Sequence, residues 1–115
     1  MPGVMRTTAT ETVIKIRAVD LELLKSIIGR FVPLSSVIVY GSRCRETATN
    51  ISDIDILLLE PSISVASVSV LRESLDESNI GPRVDLHTAA ELPDSWIQGI
   101  LATGVRLDSA VTSNC

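Results

Sequence analysis

The stretch Val37-Ile-Val-Tyr-Gly-Ser-Arg-Cys-Arg-Glu-Thr-Ala-Thr-Asn-Ile-Ser-Asp-Ile-Asp-Ile-Leu-Leu-Leu-Glu60 decides the fold. It opens with a β-branched run, Val37 to Tyr40, that reads as a buried strand and stops at Gly41-Ser42. After a polar interval, Asp53 to Leu59 forms a second apolar run. Residues two apart on a strand share a face, so Asp53 and Asp55 project together while Ile54 and Ile56 point into the core. Side-by-side carboxylates repel, and ionising both is costly unless a cation sits between them. Their hard oxygens suit Mg²⁺, which takes one or two carboxylates and completes its shell with substrate phosphate oxygens. A Gly41-Ser42 turn after the neighbouring strand offers backbone N–H groups and a hydroxyl to a phosphate. An isolated Asp-x-Asp pair is most often two solvated carboxylates, and a lone Gly-Ser says less still. Their order, between two apolar strands, points to a site for a metal and a triphosphate.

Gly41-Ser42, ten intervening residues and Asp53-Ile54-Asp55 resemble the signature of the nucleotidyltransferases of the DNA polymerase β superfamily. The similarity is greatest to its minimal nucleotidyltransferases, in which Gly-Ser-Arg-Ala-Arg-Gly is followed by Ser-Asp-Ile-Asp-Leu. Tyr40-Gly41-Ser42-Arg43-Cys44-Arg45 and Ser52-Asp53-Ile54-Asp55-Ile56 fit that form without a gap, and the resemblance runs from about Leu21 to Leu107. Glu46 departs from it, standing in place of a glycine and adding negative charge near the phosphate path. Cys44 takes the place of the family's alanine and reads as a small filler.

The rest of the chain is consistent with one small aliphatic domain of 115 residues, loose at 1–10 and 108–115. Hydrophobic residues make up 45% of it, yet Phe, Tyr and Trp occur once each, so the core is aliphatic. The net charge of −4 argues against general nucleic-acid binding, although Arg43, Arg45 and Arg83 are basic groups near the motif. Cys44 and Cys115 make neither a disulfide framework nor a zinc pattern, and no signal peptide or membrane span is evident. These features predict a cytoplasmic protein.

Apolar spacing from about Glu11 to Ile28 predicts a helix, with Asp20 as N-cap of its better half, Leu23, Leu24, Ile27 and Ile28 as its stripe and Gly29 as its stop. Val13 to Ile16 reads equally as a short strand. Ile63 to Ser78 alternates like a strand, but Ile63, Ala66, Val70, Leu71 and Leu75 also share a helical stripe. The resemblance implies a helix here, as a crossover to the next strand, Arg83 to His87. It also implies that Asp85 on that strand is the third acid. His87 shares the face of Asp85, although a lone His is more often a surface polar residue. Leu92 to Gly104 predicts a short amphipathic helix with Trp96 in the core, followed by a small strand at Val105 to Leu107.

The fold class expected is therefore α/β, a small mixed sheet with the acids on one face and helices on the other. The resemblance implies nucleotidyl transfer: Asp53, Asp55 and Asp85 around two Mg²⁺ ions, ATP or another NTP as donor, and a hydroxyl as acceptor. Gly41 and Ser42 would grip the β/γ phosphates, and Arg43 or Arg45 would neutralise developing charge. Minimal nucleotidyltransferases of this kind are commonly encoded beside a helical HEPN-type toxin. The implied role is an antitoxin that adenylylates such a partner, the alternative being an antitoxin or nucleotide-binding regulator that acts by binding alone. An aliphatic chain this short also predicts an association surface, on the N-terminal helix stripe and the Trp96 helix, for that partner or for a homo-oligomer.

Overall fold

The computed structural model describes residues 13–41, 53–59 and 63–112. In chain order the elements are β1 (Val13–Ile14), α1 (Ala18–Ile28), β2 (Val37–Tyr40), β3 (Ile54–Leu58), α2 (Val65–Asp76), β4 (Val84–Thr88), α3 (Asp94–Thr103), β5 (Val105–Arg106) and β6 (Val111–Thr112). Short 3₁₀ turns at Leu34–Ser36, Ala89–Glu91 and Leu107–Ser109 link them. This is the expected α/β class, with a mixed four-stranded sheet in the order β4-β3-β2-β5. Strand β3 runs antiparallel to β2 and parallel to β4, while β5 is antiparallel to β2. A parallel pair needs a long crossover connection, and α2 supplies it between β3 and β4.

Alternation along the strands divides the apolar residues between two faces. Val37, Val39, Ile54, Ile56, Leu58 and Leu86 join the main core with Leu21, Leu24, Ile27 and Ile28 of α1 and Val68, Leu71 and Leu75 of α2. Ile38 and Leu57 point the other way, where Ile100 of α3 covers them and Tyr40, Leu59, Leu92 and Ile97 flank them. The packing expected of all the helices thus holds for α1 and α2, whereas α3 lies against the opposite face. Gly104 lets the chain turn from α3 into β5, because a β-carbon there would press on the Ile38 side chain and the carbonyls of Ile100 and Val39.

The N-terminal ambiguity resolves into both alternatives, a two-residue strand followed by a helix. Asp20 is not the N-cap. Arg17 takes that position, and Asp20 lies inside the first turn with its side chain buried. A carboxylate there suits the positive end of the helix dipole. Asp20 also receives Arg17 Nε at 3.0 Å and the Gly81 N–H at 3.2 Å, so it ties α1 to the turn that feeds β4. Leu24, Ile27 and Ile28 of the expected α1 stripe lie in the core, with Leu23 partly buried against it.

Within the β-branched run Ile63 to Val70 a helix begins at Val65, capped by Ser64, whose Oγ accepts from the Ser67 N–H at 3.0 Å. Its buried stripe is Val68, Leu71 and Leu75, while Ala66 and Val70 of the expected stripe are exposed. Trp96 is not a core residue: it is 63% exposed, and Leu101 on the same helix is 45% exposed. Ile97 and Ile100 carry the packing of α3. Residues 108–112 are not a loose tail. Ala110 is buried, Lys25 Nζ donates to its carbonyl at 3.3 Å, and Val111–Thr112 pair in parallel with Val13–Ile14.

Asp20→Ala removes a buried carboxylate that accepts from the Gly81 N–H and makes a charge-assisted contact with Arg17. It should lower unfolding free energy by about 1–3 kcal/mol, measured by urea denaturation. An unchanged midpoint would show that this carboxylate contributes nothing to the fold.

Candidate active site

Register brings three polar side chains into a row across the sheet. Asp55 of β3 pairs with Tyr40 of β2 on one side and with Asp85 of β4 on the other. Because Ile54, Ile56 and Leu86 turn into the main core, the row occupies the face that α3 partly covers. Asp53 stands just before β3, exposed and two residues from Asp55. The Ile54 N–H donates to the Arg83 carbonyl at 2.8 Å, fixing the start of β3 against the start of β4 and hence the neighbourhood of Asp55 and Asp85.

Gly41 closes the end of the row. Its φ is +82°, in the region that favours glycine, and a β-carbon built on it would overlap the Asp55 carboxylate. Only a residue without a side chain allows β2 to end this close to Asp55.

The electrostatics follow from this crowding. Burial raises the Asp55 carboxyl above its ordinary pKa; the charges of Asp85 and Asp53 raise it further, and His87 works in the opposite sense. The Tyr40 phenol is likewise raised, by burial first and then by Asp55 and Asp85. Among the described residues, no Lys or Arg forms an ion pair with Asp53, Asp55 or Asp85. The near partner of Asp85 is His87, whose Nε2 lies 3.4 Å from Asp85 Oδ2.

This donor set fits Mg²⁺: hard carboxylate oxygens, mutually repelling, beside a glycine that keeps the approach clear. Among the described residues, no group of three or more His, Cys, Asp or Glu is arranged to hold a metal by itself.

Of the residues expected at the site, Gly41, Asp55 and Asp85 are brought together, and Asp53 adjoins them. Ser42, Arg43 and Arg45 lie outside the described residues, as do Cys44 and Glu46. Sequence reasoning missed Tyr40 as a member of the row, although its period-two alternation with Ile38 puts it on that face. It also missed Glu91. The Thr88-x-x-Glu91 spacing is a capping-box signal, and the structure forms both of its hydrogen bonds.

The fold is thus of the α/β class, with a mixed sheet that carries carboxylates on adjacent strands beside a glycine turn. The chain belongs to the polymerase β nucleotidyltransferase family: the family model described as "Polymerase beta, Nucleotidyltransferase" matches residues 22–110, which include Gly41, Asp53, Asp55 and Asp85. No curated protein matches the chain. Among the described residues, no helix is long and apolar enough to cross a membrane.

A carboxyl whose pKa is raised by folding stabilises the fold when protonated, and that contribution is lost as pH rises from the ordinary carboxylate range through the raised value. Asp55→Asn should therefore melt higher than wild type at pH 7 in EDTA, and the gap should close below about pH 3.9, the ordinary Asp value. Mg²⁺ with a triphosphate should raise the wild-type midpoint and leave that of Asp55→Asn unmoved. Equal melting of the two proteins at pH 7 would show that the carboxylates do not strain each other.

Proposed function

We propose that the chain is a Mg²⁺-dependent nucleotidyltransferase that moves AMP from ATP onto a hydroxyl of a helical HEPN-type partner, acting in the cytoplasm as the antitoxin of a toxin–antitoxin pair. The observation that carries the transfer reading is the register pairing of Asp55 with Asp85, beside Gly41 and inside the span of the family match. Asp53, Asp55 and Asp85 would hold Mg²⁺, which when bound supplies positive charge to the triphosphate and acidifies the acceptor hydroxyl. Asp85 serves the acceptor side, as ligand or as the base that takes the hydroxyl proton. Gly41 and Ser42 would grip the β/γ phosphates, and Arg43 or Arg45 would offset the charge that develops on transfer. Tyr40 flanks the row on the β2 side, paired in register with Asp55.

Support for a protein acceptor comes from α3. This helix packs on the acid-bearing face yet leaves Trp96 and Leu101 exposed, giving apolar surface on which a partner can sit. A second copy of the chain is the other candidate for that surface. The binding-only antitoxin is favoured by one observation: no three ligating side chains among the described residues are arranged for a metal.

Co-expression with the neighbouring gene, then intact-mass measurement of that product after incubation with ATP and Mg²⁺, separates these readings. The expected result is an adduct of the AMP mass, absent with Asp53→Asn. Co-purification without an adduct selects the binding-only antitoxin, and a monomer that ignores its neighbour defeats both.

Asp85→Asn should slow transfer by about 100-fold or more, the range for removing a general base, while triphosphate affinity measured by calorimetry stays within a few-fold. Full activity of this variant would make Asp85 structural.

A further inference from the structure

The polar contacts beyond the acidic row run in one direction from Asp85. Next to it on the same face of β4 is His87, held in register beside the fully buried Leu57. Its two ring nitrogens face two different carboxylates: Nε2 lies 3.4 Å from Asp85 Oδ2 and Nδ1 lies 3.8 Å from Glu91 Oε1. Glu91 is itself fixed. Its Oε1 accepts from the Thr88 N–H at 2.9 Å and from Arg72 at 3.0 Å, and its Oε2 accepts from the same guanidinium at 3.2 Å. Arg72 is tied to the sheet as well, donating to the Leu86 carbonyl at 2.7 Å. A chain of contacts therefore links α2, through Arg72, Glu91 and His87, to the carboxylate of Asp85.

An isolated surface pair of His and Asp would contribute little. Here the far side of the imidazole faces an anchored carboxylate, so the ring has a defined place, and an oriented ring restricts the carboxylate it touches. Side chains that fix the orientation of a metal-binding carboxylate act on metal affinity and turnover through that orientation.

We propose that His87 is a positioning residue: braced by Glu91 and Arg72, its imidazole holds the Asp85 carboxylate in the orientation used at the acceptor oxygen. The inference rests on the reading of Asp85 as an acid of the transfer site. It gives the 3₁₀ turn Ala89–Glu91 a role in the site, although none of its residues belongs to the acidic row.

His87 is the single histidine of the sequence, so its ring signals need no assignment by elimination. In protein labelled with ¹⁵N at the imidazole and held at one pH, Asp85→Asn should shift both ring nitrogens without any nucleotide present. Mn²⁺ affinity, followed by electron paramagnetic resonance, should fall about 10–100-fold in His87→Leu. His87→Gln, whose amide N–H can still reach Asp85, should recover most of that loss. Ring signals indifferent to Asp85→Asn would overturn the proposal, and so would equal Mn²⁺ affinity in wild type and His87→Leu. A wild type that binds no Mn²⁺ would instead overturn the reading of the acidic row itself, and the proposal with it. Circular dichroism of His87→Leu and His87→Gln confirms that both are folded before the affinities are compared.

Discussion

The structure turns on keeping like charges together. Asp55 and Asp85 face one another across a parallel strand pair, with Asp53 alongside, and burial makes the ionisation of Asp55 harder. Nothing in the acids favours this arrangement; it is imposed from behind. Ile54, Ile56 and Leu58 alternate with the polar positions of β3, and they are buried with Leu86 against α1 and α2. Removing those side chains from water is worth roughly 1.5–3 kcal/mol each, enough to hold the register against the repulsion on the other face. A one-residue slip of β4 would turn Leu86 outward and Asp85 into the core, so the core that stabilises the sheet also fixes the site.

The same constraint explains the glycine at position 41. A strand that ended in any other residue would need its β-carbon where the Asp55 carboxylate lies, in a backbone region that disfavours side chains. The packing of the acids and the shape of the turn are therefore one feature. A cation bound between the acids would relieve that repulsion and so tie ligand binding to stability through the same carboxylates.

On the acid-bearing face the third helix and the braced histidine divide the surroundings of the row. Helix α3 covers Ile38 and Leu57 and leaves Trp96 in solvent, while Arg72 and Glu91 secure the side occupied by His87. The site thus has an apolar shoulder and a polar one. The family match, over residues 22–110, spans the acidic row and both shoulders.

Local pattern determined much of this in advance. Period-two alternation made β2 and β3 legible and put Asp53 and Asp55 on one face. The resemblance carried by the Gly41-to-Asp55 spacing selected a helix for the crossover and Asp85 on the strand after it. Ser42, Arg43 and Arg45 lie outside the described residues. What the sequence alone could not decide were matters of long-range contact. Asp20 looked like a cap because cap chemistry is local, but its partner Gly81 is distant in the chain and draws the carboxylate inside. Trp96 looked like core because it is large and apolar, yet Ile97 and Ile100 reach the sheet and turn it outward. Residues 108–112 looked loose because they are small and polar, until β1 offered them a strand to pair with. Composition and periodicity fix which face of an element is apolar; which neighbour covers that face, and how much of it, depends on contacts that only the folded chain creates.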